Sequence, residues 1–143
     1  MAKLSLPRSR RLIRAALEKG KELELKPLSV AVLDAGGHLV AFEREDGASI
    51  LRPEIAKGKA YGAIAVGVGS RWLNAQAETR PHFLEGLSNV SGGKIIPVPG
   101  GVLIKGAKGE ILGAVGITGD TSDNDEACAI AGIEAIGFTA DAG

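Results

Sequence analysis

His38 and His82 are the only two imidazoles in this chain of 143 residues, and a neutral imidazole has a lone pair near pH 7 that can ligate a haem iron or shuttle a proton. His38 falls at a glycine-bearing turn and His82 precedes Phe83; a surface or packing role is the alternative for each. Lys59 lies one turn from Ile55 on a stretch rich in small residues. Partial burial there would lower its pKa and suit it as a base or as the holder of a substrate carboxylate; an ordinary lysine reaching to solvent is the alternative. Glu43, Glu45 and Asp46 form an acidic group that can pair with Arg52, Lys57 or Lys59. Cys128, amid alanines, reads as a small core residue rather than a nucleophile. Tyr61 and Trp72 read as packing or interface residues, with stacking on a ligand as the second use.

The usual catalytic signatures are missing. Gly113, Gly116 and Gly119 do not make G-x-G-x-x-G, and G-x-x-x-x-G-K-[ST], G-x-S-x-G and H-E-x-x-H do not occur, so the common dinucleotide, triphosphate, hydrolase and zincin mechanisms lack their parts. The last helix opens on acidic residues, among them Asp125 and Glu126. These satisfy the helix dipole and would repel a phosphate, which argues against a nucleotide cradle in the glycines before it.

The elements that must position these residues follow from patterning. A first helix is capped by Ser5, carries Pro7 in its first turn, and shows an apolar stripe of Leu12, Ile13, Ala16, Leu17 and Leu23. Leu28 to Leu33 is a nearly continuous apolar strand, which implies burial on both faces or a central position. Gly36 and Gly37 turn the chain into a partner strand, Leu39 to Arg44. A second helix spans roughly Leu51 to Val68, with Ser49 as cap, and its Gly58, Gly62 and Ala65 would let a sheet or a second subunit come close. Ser70 to Leu87 reads as short helical or irregular pieces broken by Pro81. Next come a strand at Ile95, Ile96 and Val98 on the sheet margin, a second at Val102 to Ile104, a polar turn from Lys105 to Glu110, and a third at Ile111 to Thr118. Glycine at 113, 116 and 119 is tolerated in that last strand only where a helix, a ligand or another backbone approaches. The final helix starts at Ser122 or Asp123, where the run S-D-N-D-E supplies a cap and acidic first-turn residues, and runs to about Phe138.

At 14.6 kDa the chain suits one domain, residues 1–143, able to hold its own core. Formal charge is zero, so no basic field argues for nucleic acid. One cysteine excludes an intrachain disulfide. The N-terminus, MAKLSLPRSRR, precedes no long apolar run, so no secretion signal or membrane span is expected, and the cytoplasm is the default.

Four ordered stretches, VAVLDAGGHLVAFEREDGA, EIAKGKAYGA, NVSGGKIIPVPGGVLI and ILGAVGITGDTSDNDEACAIAG, resemble the GlcG/HbpS-like family of small haem-binding or haem-degrading-type proteins, related to the PduO C-terminal domain. The resemblance implies an α/β (α+β) profilin-like sandwich, an antiparallel sheet of about five strands flanked by helices, usually assembled into homo-oligomers. It also implies haem as the cofactor of some members, while others are encoded with glycolate or diol catabolism. Its matching positions include Asp34, Gly36, Gly37, His38, Glu43, Asp46, Lys59, Tyr61, Gly100, Gly101 and Glu126. Two functions then stand side by side. The first is a haem or tetrapyrrole binding protein with the macrocycle in an apolar cleft at an oligomer edge, His38 or His82 on the iron, and Lys or Arg on the propionates; Tyr61, Asp46, Arg80 and Glu126 complete its ligand-binding candidates. The second is a cofactor-free catabolic enzyme moving a proton on a small oxygenated acid, with Lys59 or Glu43 as base, Arg80 or Lys59 holding a carboxylate, and amides around Gly100 and Gly101 stabilising an enolate.

Overall fold

A computed structural model describes residues 3–143; Met1 and Ala2 of the N-terminal stretch lie outside them. The chain runs α1 (Leu6–Glu22), β1 (Ser29–Asp34), β2 (Leu39–Arg44), α2 (Arg52–Val66), α3 (Ser70–Thr79), α4 (Pro81–Val90), β3 (Gly101–Lys105), β4 (Ile111–Thr118), α5 (Ser122–Ala135) and β5 (Thr139–Asp141). All five strands form one antiparallel sheet in the order β2-β1-β4-β3-β5. β1 and β4 are therefore central, as the unbroken apolar run of β1 requires. The two hairpins, β1–β2 and β3–β4, meet through β1 and β4. No helix among the described residues is long and apolar enough to cross a membrane.

Strand alternation assigns the two faces. Val30, Val32, Val102, Ile104, Val115 and Ile117 point to α1 and α5, where Leu12, Ile13, Ala16, Cys128, Ala129 and Ile133 complete a fully buried core. Each large aliphatic side chain buried there contributes roughly 1.5–3 kcal/mol. Ser5 caps α1 by accepting the Arg8 amide at 3.2 Å, as the sequence predicts, although Leu23 at the far end of the stripe is exposed.

On the opposite face small residues lie abreast. Gly116 pairs with Gly101 on one side and Ala31 on the other, which makes a trough under α2 with no side chain larger than a methyl. A Cβ on Gly116 would fall on the Ala56 carbonyl oxygen and 2.9 Å from the Ala60 nitrogen; one on Gly101 would fall on the Lys59 carbonyl. The close approach expected from the glycine spacing is made by a helix of the same chain at Gly116 alone; Gly113 is met by the Leu33 carbonyl and Leu4, and Gly119 by the Pro27–Leu28 backbone. The glycines of α2 itself were expected to admit a sheet or a second subunit, but they admit other parts of the chain: Gly58 faces Ile96, and Gly62 faces Leu73 and Ile95.

Four expectations need correction. Ile95 to Val98 is no strand: the Ile96 amide donates to the Gly58 carbonyl of α2, the Val98 amide donates back to Ile96, and Pro97 and Pro99 have no N–H for a ladder. The marginal strand beside β3 is β5, which follows the turn at Gly137 (φ +83°) where the last helix was expected to continue. That helix starts at Ser122 as expected, but its cap is Thr121, whose Oγ1 accepts the Asn124 amide, rather than a residue of the S-D-N-D-E run. α2 has no side-chain cap; Ser49 instead accepts from the Arg52 guanidinium at 3.2 Å, leaving Leu51 at the cap position.

Candidate functional site

One flank of α2 does not meet the sheet. Between it, the β1–β2 turn and the irregular segment after α4 lies a cleft of about 520 Å³, within the roughly 300–1,000 Å³ range of small-molecule sites. Leu33 and Leu39 come from the first hairpin; Leu51, Glu54, Ile55, Lys57, Gly58 and Tyr61 come from α2; Gly93, Lys94 and Ile96 close the third side. Glycine shapes it twice. Gly37, at φ +82°, lays its backbone against the Tyr61 ring, 3.4 Å from where a Cβ would stand, and Gly58 leaves room for Ile96. Lys94 Nζ sits 5.4 Å from the centroid of the same ring. The cleft therefore has an aliphatic floor, one aromatic wall, and a rim carrying the exposed Lys57, Lys94 and Glu54. Such a surface suits a flat apolar molecule that bears acidic groups.

His38 is not itself a lining residue; it stands at the cleft's edge, on the turn between the lining residues Gly37 and Leu39, with its side chain 82% exposed. Asp34 organises that turn: its Oδ1 accepts the amides of Gly36 and His38, each at 2.9 Å, and lies 3.3 Å from His38 Nδ1. Donation by the His38 amide, first among the causes, holds the Asp34 carboxyl below its ordinary value.

The remaining candidates are dispersed. His82 is exposed in the first turn of α4 and does not line the cleft. Arg80, at the joint of α3 and α4, lays its guanidinium 4.2 Å from the Phe83 centroid. Asp46 borders a separate, shallower concavity of about 470 Å³ with Leu25, Pro27, Arg44 and Glu45. Glu43 is exposed on the edge strand β2, and Glu126 accepts from Arg71 Nε and Nη2 at 2.9 and 3.0 Å. The Gly101 amide is already donated to Ser70 Oγ at 2.8 Å. No group of three or more His, Cys, Asp or Glu side chains among the described residues could hold a metal ion.

Lys59 leaves α2 away from the cleft. Its side chain is 2% exposed, passes Gly100, and donates from Nζ to the Ile117 carbonyl at 3.0 Å and to Asp125 Oδ2 at 3.1 Å. Asp125, 1% exposed, also accepts the Asp120 amide at 3.0 Å. Burial pulls the Lys59 ammonium down and pushes the Asp125 carboxyl up, and each charge partly offsets the burial of the other. Of the acidic group read as a partner for Arg52, Lys57 or Lys59, Glu45 instead accepts the Leu28 amide at 2.8 Å, Glu43 and Asp46 are exposed, and Lys59 pairs with Asp125. Of the proton-transfer set, Lys59, Gly100 and Gly101 lie together, whereas Glu43 is exposed on β2 and Arg80 stands at the joint of α3 and α4.

Sequence reasoning passed over Glu54 and Lys94 and took Lys57 only as an ion-pair partner. Lys57 and Tyr61 are four residues apart and so share a helix face, a signal that was present. Lys94, in a segment without secondary structure, had none.

With this geometry in place, comparison with known proteins is informative. The profile of the family described as "Haem degrading protein HbpS-like" matches residues 4–134. Corrinoid adenosyltransferase PduO of Citrobacter freundii is 29% identical over 133 residues, 93% of this chain but 39% of that protein, so the chain spans about two fifths of that relative's length. Among solved structures, a complex of PduOC with heme superposes with a TM-score of 0.85 at 29% identity, covering 96% of this chain and 97% of the other. HbpS from Streptomyces reticuli, in a double-mutant form, superposes with a TM-score of 0.82 at 27% identity, covering 96% and 89%. The α+β sandwich and the match over nearly the whole chain agree: this chain belongs to the HbpS-like family.

Proposed function

We propose that this protein binds haem or a related tetrapyrrole in the cleft between α2, the β1–β2 turn and residues 93–96. The observation that carries this reading is the pairing of an aliphatic floor with a two-lysine rim beside an accessible imidazole; the heme complex of the PduOC neighbour supports it. The residues present fit the group. Leu33, Ile55 and Ile96 would face the macrocycle, Lys57 and Lys94 its carboxylates, and His38 is the candidate iron ligand, imidazole being a common axial donor. Bound haem would supply a redox-active iron; the chain supplies capture, orientation and partial exclusion of water. A cleft with a single aromatic suits exchangeable binding rather than a permanently held group.

The rim also carries Leu39, Leu51 and, next to it, Ile50, which is 87% exposed. Apolar exposure of this kind marks an interaction surface, and a second copy of the chain is its proposed cover.

Haemin titrated into the apoprotein should give a saturating Soret shift with an equimolar endpoint. His38→Ala should weaken binding by about tenfold or more, as loss of a ligand or its support commonly does, and His82→Ala should leave it unchanged. Light scattering on the same samples should return a multiple of the 14.6 kDa chain mass. Absence of a shift, or dependence on His82 instead of His38, would refute the site; a monomeric mass would refute closure by a second copy.

A further inference from the structure

We propose that Asp34 is a positioning residue for His38, its carboxylate taking the imidazole Nδ1–H so that Nε2 is presented as a strengthened iron ligand. The proposal rests on the haem reading above. Asp34 is the last residue of β1, and its Oδ1 gathers three nitrogens: the Gly36 and His38 amides at 2.9 Å and His38 Nδ1 at 3.3 Å. Gly36 permits this, since a Cβ there would stand 2.9 Å from both Nδ1 and Cε1 of the imidazole. Without that side chain the ring folds back over the turn to meet the carboxylate.

The turn alone does not require a charge, because an asparagine oxygen accepts the same two amides. What an asparagine cannot supply is a negative group beside Nδ1. Neither partner is buried, at 82% and 46% exposed for His38 and Asp34, so the pair adds little to stability. Its consequence is chemical. A carboxylate at Nδ1 selects the tautomer whose lone pair is on Nε2, fixes the ring, and raises the donor strength of that lone pair. A stronger donor favours the more highly charged iron, so Asp34 should bias bound haem toward the ferric state.

Asp34→Asn separates these roles. Haemin affinity is read from the Soret titration and the ferric/ferrous midpoint from spectroelectrochemistry, with thermal unfolding of the apoprotein as the check on the turn. The expected result is unchanged unfolding, ferric-haem affinity weakened about tenfold with the ferrous form less affected, and a midpoint raised by up to about 59 mV, the one-electron equivalent of tenfold. A midpoint equal to wild type in Asp34→Asn, with His38→Ala still losing haem, would overturn the proposal and leave the haem reading intact. A wild type that gives no Soret shift would overturn both.

Discussion

Replacing Lys59 by methionine should lower the unfolding free energy by about 3–5 kcal/mol, the cost of stranding one member of a buried ion pair. Against a total of roughly 5–15 kcal/mol for a domain, that is a large share of the fold's margin. Asp125 is 1% exposed and would keep only the Asp120 amide. The deficit should depend on pH in a defined sense. Burial already raises the Asp125 carboxyl above its ordinary 3.8, and Lys59 is the charge that most opposes the rise. Without Lys59 the folded value climbs further, so a neutral Asp125 favours the folded state. In the variant the deficit should be smallest in acid, below the ordinary carboxylate value, and should grow as pH rises through the elevated folded value. The double replacement Lys59→Met with Asp125→Leu should recover most of the loss, since an apolar pair of similar volume often matches a buried ion pair. Urea unfolding of the single and double variants across pH checks this; single-variant losses below about 1 kcal/mol would mean that water reaches the pair.

Gly116→Ala should cost about 3 kcal/mol, at the upper end of overpacking effects, or roughly 10 °C in Tm. The added methyl would meet the Ala56 carbonyl and, at 2.9 Å, the Ala60 nitrogen, both of them backbone. No side chain can rotate to relieve that contact; either α2 lifts or β4 bends. Gly86→Ala is the control. It lies within α4 with no neighbour within 4 Å of its would-be Cβ, so it should gain up to about 1 kcal/mol from helix propensity. Calorimetric melts that rank the two variants in the reverse order would contradict the close packing of α2 on the sheet.

Much of this architecture is legible along the chain. The apolar run ending at Leu33 announces a central strand because only a strand covered on both faces tolerates it, and the glycines of β4 announce a close approach by a helix, a ligand or another backbone, which α2 makes at Gly116. What misleads is local propensity read without tertiary partners. Ile95 and Ile96 have strand-forming side chains, yet their segment is held by α2 rather than by a neighbouring strand. β5 is only three residues long, below what periodicity can register, and is recruited by its pairing with β3. Lys59 was recognisable as unusual on a helix of small residues, but its partner is 66 residues away, and no spacing rule connects them. The cleft combines three separated segments, of which the helix face of Lys57 and Tyr61 was the accessible clue.

The central claim, that the ligand sits between α2, the β1–β2 turn and residues 93–96, is tested most directly by hydrogen–deuterium exchange with and without haemin. The account predicts slowed exchange in peptides covering residues 33–39, 52–61 and 91–96, with the α3–α4 region around His82 unchanged. Protection centred on that α3–α4 region, with the three cleft segments unaffected, would contradict it.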